Sequence, residues 1–368
     1  MEKRIVLLTG ATGFVASYLL KILLENGCKV YALARSSKKE AARARVLNAL
    51  KFWTEEHTSQ SPKNLVIVDG DITLTDLGIK SKQLIDEIRA DCEIIFHSAA
   101  LAKLRVELEV IRKINVLGTK NVLDFALKFP KLEKFNHIST AYVVGTKNDY
   151  NFRENELELG QGFNNTYEQT KYEAELLVQD YRVKGLNISV FRPSMVIGHS
   201  KTGQATTFRL FYEPIRFFSK EIYNEFPINI DCHQNLINID TVAKVFFLLG
   251  DQGSNTTYHV VSPKPFNVGK FMDLASRFFQ FRTPRLIPAE RFDYSYWTPA
   301  QKILASPYIP YFNYTTKFCY IHTQKTLDGY NFRIPQITDQ KLLPSFQYYH
   351  EQKSIYDIIG EKRWNYYA

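Results

Sequence analysis

No stretch of this chain approaches the roughly 20 apolar residues that a helix needs to cross a bilayer. After Lys3-Arg4 only Ile5-Val6-Leu7-Leu8 precede Thr9-Gly10, too short a run for the core of a signal peptide. A cytoplasmic protein is expected. Cysteine is scarce: Cys28, Cys92, Cys232 and Cys319 are four in 368 residues, with no Cys-x-x-Cys pair and no His nearby at zinc spacing. Reduced, mostly buried thiols are expected, not a disulfide framework or a metal centre. Repeats and low-complexity linkers are missing as well. Lys and Arg give a net charge of +9, yet they form no long basic run, so a nucleic-acid footprint is not expected. Dispersed positive charge suits equally a phosphorylated cofactor, coenzyme A or an acidic carrier protein.

What is present is ordinary for a globular protein, 45% hydrophobic and 23% charged. The length allows two domains, or one with a substantial insertion. Short apolar runs at 4–8, 29–34, 65–68, 93–97, 134–138 and 188–192 read as strands. Helical patterns fall between them, near 14–25, 39–56, 80–89, 105–128 and 167–184. That alternation predicts an α/β fold, a doubly wound Rossmann-type parallel sheet with helices on both faces. Gly27 stands where the first helix should end. The pattern loosens after about residue 200, where aromatics and prolines become dense, as in Pro307-Tyr-Ile-Pro-Tyr-Phe-Asn-Tyr314. The expected division is a nucleotide-binding domain over 1–200 and an irregular, smaller C-terminal region over 201–368. Residues 235–262 are expected to rejoin the first domain. Most of the late aromatics are expected to serve packing; the alternative is an apolar substrate pocket.

The first strand runs into Thr9-Gly-Ala-Thr-Gly-Phe-Val-Ala16. Gly10 and Gly13 permit a tight turn and close approach of the backbone to a pyrophosphate. Thr12, Phe14 and Val15 carry the turn into a helix whose free N–H groups face that anion. Ala16 is the third small position, where helix meets strand. The glycine spacing alone is common; its place between an apolar strand and an amphipathic helix predicts dinucleotide binding. The second strand ends without an acid, at Arg35 and Ser36, followed by Lys38 and Lys39. A 2′-phosphate is therefore expected there, hence NADP(H). Asp71 and Ile72 follow the third strand; Asp71 is expected either to accept from the adenine amino group or to cap a turn. Ala99, Ala100 and Leu101 follow the fourth, where small residues let the backbone pass the cofactor. His97 is expected to be structural.

The fifth strand runs into Ser139-Thr140, placing hydroxyls at the cleft end of the sheet. Tyr167 and Lys171, four apart, share one face of a helix. The charge of Lys171 is expected to lower the Tyr167 pKa from its usual value near 10. Tyr167 would then donate a proton to an oxyanion formed by hydride addition, and Thr140 a second hydrogen bond. Tyr-x-x-x-Lys is not specific in a chain with 22 tyrosines. Its meaning comes from its position after the fifth strand.

Together these residues resemble the extended short-chain dehydrogenase/reductase superfamily, most closely its thioester-reductase and fatty-acyl-CoA-reductase branch, also called male-sterility-like. Four stretches carry the resemblance: Thr9-Gly-Ala-Thr-Gly-Phe, His137-Ile-Ser-Thr-Ala-Tyr-Val, Tyr167-Glu-Gln-Thr-Lys171 and Arg192-Pro-Ser-Met-Val-Ile-Gly198. The resemblance implies Thr140, Tyr167 and Lys171 as the catalytic set, Asn115 as a structural or proton-relay residue, and Pro193 and Ser194 beside the nicotinamide. It implies NADPH as cofactor and an acyl thioester as substrate, giving aldehyde or alcohol. No preceding adenylation domain is recognised, so the acyl group is expected on free CoA or on a separate acidic carrier protein. A homodimer is a further expectation. Two readings stand beside this one: an extended short-chain dehydrogenase acting on a ketone, an alcohol or a nucleotide sugar (as epimerase or dehydratase), and a non-catalytic NADP(H)-binding regulator.

Overall fold

The computed structural model describes residues 1–54, 61–208 and 210–359, and for 353–359 the backbone alone. The last two positions of the helix expected over 39–56 lie outside the described residues. The chain divides into two compact units. The first joins Met1–Ser194, Thr241–Val261 and Thr316–Ile334; the second joins Met195–Asp240, Ser262–Thr315 and Pro335–Ala368.

The first unit is built on seven parallel strands: β1 Ile5–Thr9, β2 Lys29–Ala34, β3 Leu65–Asp69, β4 Ile94–His97, β5 Lys134–Ile138, β6 Ile188–Pro193 and β7 Thr257–Val260. Their spatial order is β7-β6-β5-β4-β1-β2-β3. The order reverses between β1 and β4, which is where a doubly wound sheet opens its ligand crevice. Such a sheet is covered on both faces, so its strands read as unbroken apolar runs. Val6, Leu7 and Leu8 of β1 and Ile94, Ile95 and Phe96 of β4 are all fully buried.

The crossover helices are α1 Phe14–Glu25, α2 Ala42–Lys51, α3 Lys82–Asp91, α4 Leu108–Arg112, α5 Gly118–Ala126 and α6 Thr166–Val183. Gly27, at φ +76°, ends α1 in a double hydrogen bond: its N–H donates to Leu24 O at 3.1 Å and that of Cys28 to Leu23 O at 3.0 Å. The helix expected over 105–128 is interrupted. A π-helical turn, Lys113–Leu117, separates α4 from α5 and carries Asn115. Such wide turns insert one extra residue and concentrate at functional positions.

Within 235–262 the chain is shared between units: Thr241–Val261 lies in the first, and the residues flanking it lie in the second. Leu236–Asn238 pairs with Met195–Ile197 in the second unit, whereas Thr257–Val260 supplies the β7 edge of the main sheet. Thr316–Ile334 also belongs to the first unit, where Lys317–Phe318 pairs with Asn151–Phe152.

Among the described residues, the second unit has three two-stranded pairings, each two or three residues long, and helices at Tyr212–Ser219, Val268–Phe279 and Asp339–Ile359. Its core is aromatic. Phe226, fully buried, lies 4.9 Å from Phe218, 5.3 Å from Trp297 and 5.6 Å from Phe217, ring centre to ring centre. Tyr311, Phe312 and Tyr314 are buried as well. The cavity among Met195, Phe211, Phe271 and Phe312 holds about 10 Å³, room for one water, so these rings pack.

Among the described residues no helix is long and apolar enough to cross a membrane, and no His, Cys, Asp and Glu side chains gather as metal ligands. None of the four cysteines forms a disulfide, and Cys28, Cys92 and Cys232 are buried.

Candidate active site

The residues expected at the site all fall in the first unit, most of them just after the ends of strands, with Asn115 in the π-helical turn and Tyr167 and Lys171 on α6. Gly10 leaves β1 at φ +72°, and a Cβ there would stand 2.7 Å from the Ala99 backbone just after β4. Only glycine satisfies both the left-handed turn and that approach. The Gly13 N–H closes the turn on Gly10 O at 2.8 Å. Gly13 then caps α1 with no side-chain hydrogen bond. The first N–H groups of α1 are thus left without a side-chain acceptor, in the arrangement that receives a dinucleotide pyrophosphate. Thr12, Phe14 and Val15 line this turn. Across the crevice, the Ala99 N–H donates to Thr9 Oγ1 at 3.3 Å, and Ala100 is exposed.

At the far end of the crevice, Arg35 is 56% exposed and its guanidinium stands 3.6 Å from the Asp71 carboxylate. Burial alone would raise Asp71. The Thr73 N–H and hydroxyl, each 2.9 Å away, together with Arg35 hold it below its ordinary value. Ile72 is buried against Gly118. Ser36 donates from its backbone and its hydroxyl to Asp69, at 3.0 and 2.7 Å. Asp69, the last residue of β3, was not singled out from the sequence. It shapes the β2 end by engaging Ser36, beside the exposed Arg35. These groups fit a nicotinamide dinucleotide: a glycine cradle that a Cβ would fill, an uncapped helix start and an exposed guanidinium just after β2.

The reactive end brings together β5, β6 and α6. Asn165 caps α6, its side chain accepting from the Glu168 N–H at 3.0 Å, and so fixes the turn that carries Tyr167. Lys171, one turn later, is 2% exposed; its ammonium donates to Ile138 O at 2.7 Å and lies 3.3 Å from His137 Nε2. Asn115 tethers the neighbouring loop. It accepts from the Leu101 N–H at 2.7 Å and donates to Thr170 Oγ1 at 3.0 Å. Pro193 ends β6, and the Ser194 N–H donates to Val260 O at 3.2 Å.

The two hydroxyls after β5 are not equivalent. Ser139 is buried and donates to the Glu175 carboxylate. Thr140 accepts from the Tyr142 N–H at 3.3 Å, and its own proton has only Pro193 O, at 3.5 Å. That separation is too long for a good hydroxyl bond, so Thr140 is the hydroxyl able to donate to a ligand.

Electrostatics at this end differ from the expectation. Burial, aided by the negative charge of Glu168, pushes Tyr167 up to about 12. Lys171 does not lower it, because its ammonium is turned towards Ile138 and His137. Burial in turn pulls Lys171 down to about 8, against the pull of Glu175. At neutral pH the site therefore offers a fully protonated phenol beside a charged amine.

Sequence reasoning missed His137 and Glu175 as parts of this arrangement. His137 is fully buried, and burial followed by the Lys171 charge hold it well below 6.5, so it accepts as a neutral ring. Its Nδ1 has no partner. His97, paired with it in register, bridges Thr9 and Thr119 at 2.8 and 2.9 Å and is depressed to about 3 by burial, a structural role. Glu175 lies one turn beyond Lys171 and forms a buried pair with Arg192 at 2.7 Å. The signal for Glu175 was its spacing: positions 167, 171 and 175 share a face of α6.

Sheet order, glycine cradle and the Tyr/Lys helix define an NAD(P)-dependent oxidoreductase of the extended short-chain dehydrogenase/reductase type. Residues 8–246 match the male sterility protein family, and the chain belongs to that family. It is 25% identical over 352 residues to Probable fatty acyl-CoA reductase 5 of Arabidopsis thaliana, covering 76% of this chain and 71% of that protein. It is 27% identical over 262 residues to L-2-aminoadipate reductase of Saccharomyces cerevisiae, covering 65% of this chain but 18% of that protein. In fold it is similar to the terminal R domain from the myxalamid PKS-NRPS biosynthetic pathway, with a TM-score of 0.82 and 23% identity over 96% of this chain and 92% of that domain.

Proposed function

We propose that this chain is an NADPH-dependent reductase of acyl thioesters, producing an aldehyde or, by a second reduction, an alcohol. The observation that carries the reading is the similarity to a fatty acyl-CoA reductase over most of the chain. The two proposed donors are the protonated Tyr167 phenol on α6 and the loosely held Thr140 hydroxyl after β5.

NADPH bound in the crevice supplies a hydride to the carbonyl carbon. Tyr167 donates its proton to the resulting oxyanion, and Thr140 hydrogen-bonds the same oxygen. Lys171 holds its charge near this centre, fixed by Ile138 O and His137, and is proposed to bind the nicotinamide ribose. Breaking of the carbon–sulfur bond then releases a thiol and leaves an aldehyde. Asn115 keeps α6 and the loop at Leu101 in register through Thr170. Arg35 is proposed to favour the 2′-phosphate of NADPH over the bare ribose of NADH.

The thioester is carried on coenzyme A or on a separate acidic carrier protein. The net charge of +9 supports either, because both present negative charge on approach. A cofactor-oxidation assay with acyl-CoAs, carrier-bound thioesters, aldehydes and ketones tests the reading. Turnover of ketones with inert thioesters would replace it with the alcohol-dehydrogenase alternative.

A further inference from the structure

Further along α6, beyond the catalytic turn, the first unit contains a cavity of ≈ 750 Å³. Its walls come from the 153–157 segment, the later turns of α6, β6, the approach to β7 and the 319–325 segment. Thr140, Tyr167, Lys171 and the β1–α1 turn take no part in it. The volume is that of a small-molecule site.

Its charges are unevenly used. Each lining carboxylate is already engaged. Glu175 is held by Arg192 and Ser139; Glu154 accepts the N–H groups of His322 at 2.8 Å and Thr323 at 2.9 Å. Glu156 accepts from the Tyr150 hydroxyl at 2.9 Å and the Arg153 N–H at 2.8 Å. Arg192 is neutralised by Glu175, but the other lining cations are not. Arg153 and Lys325 are exposed and have no carboxylate partner among the described residues. Arg182 donates to Ile188 O at 2.9 Å and Thr256 O at 3.3 Å, with no carboxylate bound. Burial, and the nearby positive charge of Arg192, lower its pKa despite the opposing pull of Glu175, so an anion beside it would relieve that cost. The accessible apolar lining is Ile321, 73% exposed, and the half-buried Cys319, whereas Leu157, Val178 and Val190 are buried behind them.

We propose that this cavity is a second ligand site, separate from the cofactor crevice, for a small organic anion with an aliphatic body. Arg153, Arg182 and Lys325 receive a carboxylate or phosphate-monoester head, and Ile321 and Cys319 receive the body. The inner wall is the Arg192–Glu175 pair, which also holds Ser139, the neighbour of Thr140. A ligand there therefore leans on the network that fixes the end of β5.

Calorimetric titration of the full chain, with NADPH present, uses decanoate, decyl phosphate and 1-decanol as probes. At least one of the anions should bind, one per chain, with the tighter one identifying the preferred head group; decanol should be weaker by about tenfold or more. Arg153→Gln combined with Lys325→Gln, both at exposed positions, should weaken the anions about tenfold and leave decanol unchanged. Gln179→Trp, which places an indole in the cavity from an exposed position on α6, should abolish binding while the thermal melt stays that of the parent. Three results overturn the proposal: no anion binding up to millimolar concentration, equal binding of decanol, or anion binding that survives Gln179→Trp in the folded variant.

Discussion

The buried Lys171 ties activity and stability to one titration, with opposite signs. Burial lowers it from 10.5 to about 8. Each pKa unit is worth about 1.4 kcal/mol, so holding this ammonium charged in the fold costs about 3 kcal/mol. The folded value lies below the unfolded one. The cost is therefore fully present below about pH 8 and disappears as pH rises towards 10.5. Over the same interval the proposed catalytic charge is lost. Between pH 7 and 10 the parent should gain stability relative to Lys171→Met, which lacks the group, and should lose activity. The rate to follow is kcat/KM for NADPH, because it reports the ligand-free protein. It should be level from pH 6 to about 7.5 and fall towards tenfold per unit above 8. No break is expected near 6.5, since His97 and His137 are both neutral there. Lys171→Met should be much slower and show no break near 8. A parent profile level to pH 9.5, or a Lys171→Met variant keeping the same break, would refute the assignment.

Three other outcomes follow from the site. Tyr167→Phe should lower turnover by about 10²–10⁴ while NADPH still binds; near-normal turnover on the true substrate removes Tyr167 as the acid. Arg35→Asp should weaken NADPH sharply and narrow its advantage over NADH, and equal affinity of the parent for both cofactors contradicts the 2′-phosphate contact. Arg192→Met strands Glu175, a carboxylate buried beneath the site with 3% side-chain exposure, and should cost about 3–5 kcal/mol in chemical denaturation. Adding Glu175→Met should recover most of that loss, so a double variant no better than the single one counts against a buried pair.

Six of the seven strands of the main sheet were legible because parallel strands buried on both faces read as plain apolar runs; the edge strand Thr257–Val260 was not among them. Ile5-Val6-Leu7-Leu8 and Lys29–Ala34 needed no knowledge of their neighbours. The second unit was not legible, since its pairings, such as Glu225–Pro227 with Arg285–Ile287, are three residues long and lie far apart in sequence. The turn at Asn115 was hidden by a continuous helical pattern, as one extra residue per turn leaves little trace in spacing. At the site, Gly10, Gly13, Tyr167 and Lys171 were legible because turn and helix geometry fix their spacing. The role of His137 was not: it depends on β5 setting a buried ring against α6. The direction of the Tyr167 shift was misread for a related reason. Sequence spacing showed a cation four residues away, whereas the depth of burial, which dominates the shift, belongs to the folded chain.

The most direct test of thioester reduction is to count thiol released against NADPH oxidised, with acyl thioesters of increasing chain length as substrates. One thiol should appear for each NADPH when aldehyde accumulates, and one for every two when alcohol does. The rate should fall as salt is raised, because the approach of a negatively charged carrier is screened. NADPH oxidation on ketones or aldehydes, with no thiol released from any thioester, would contradict the account.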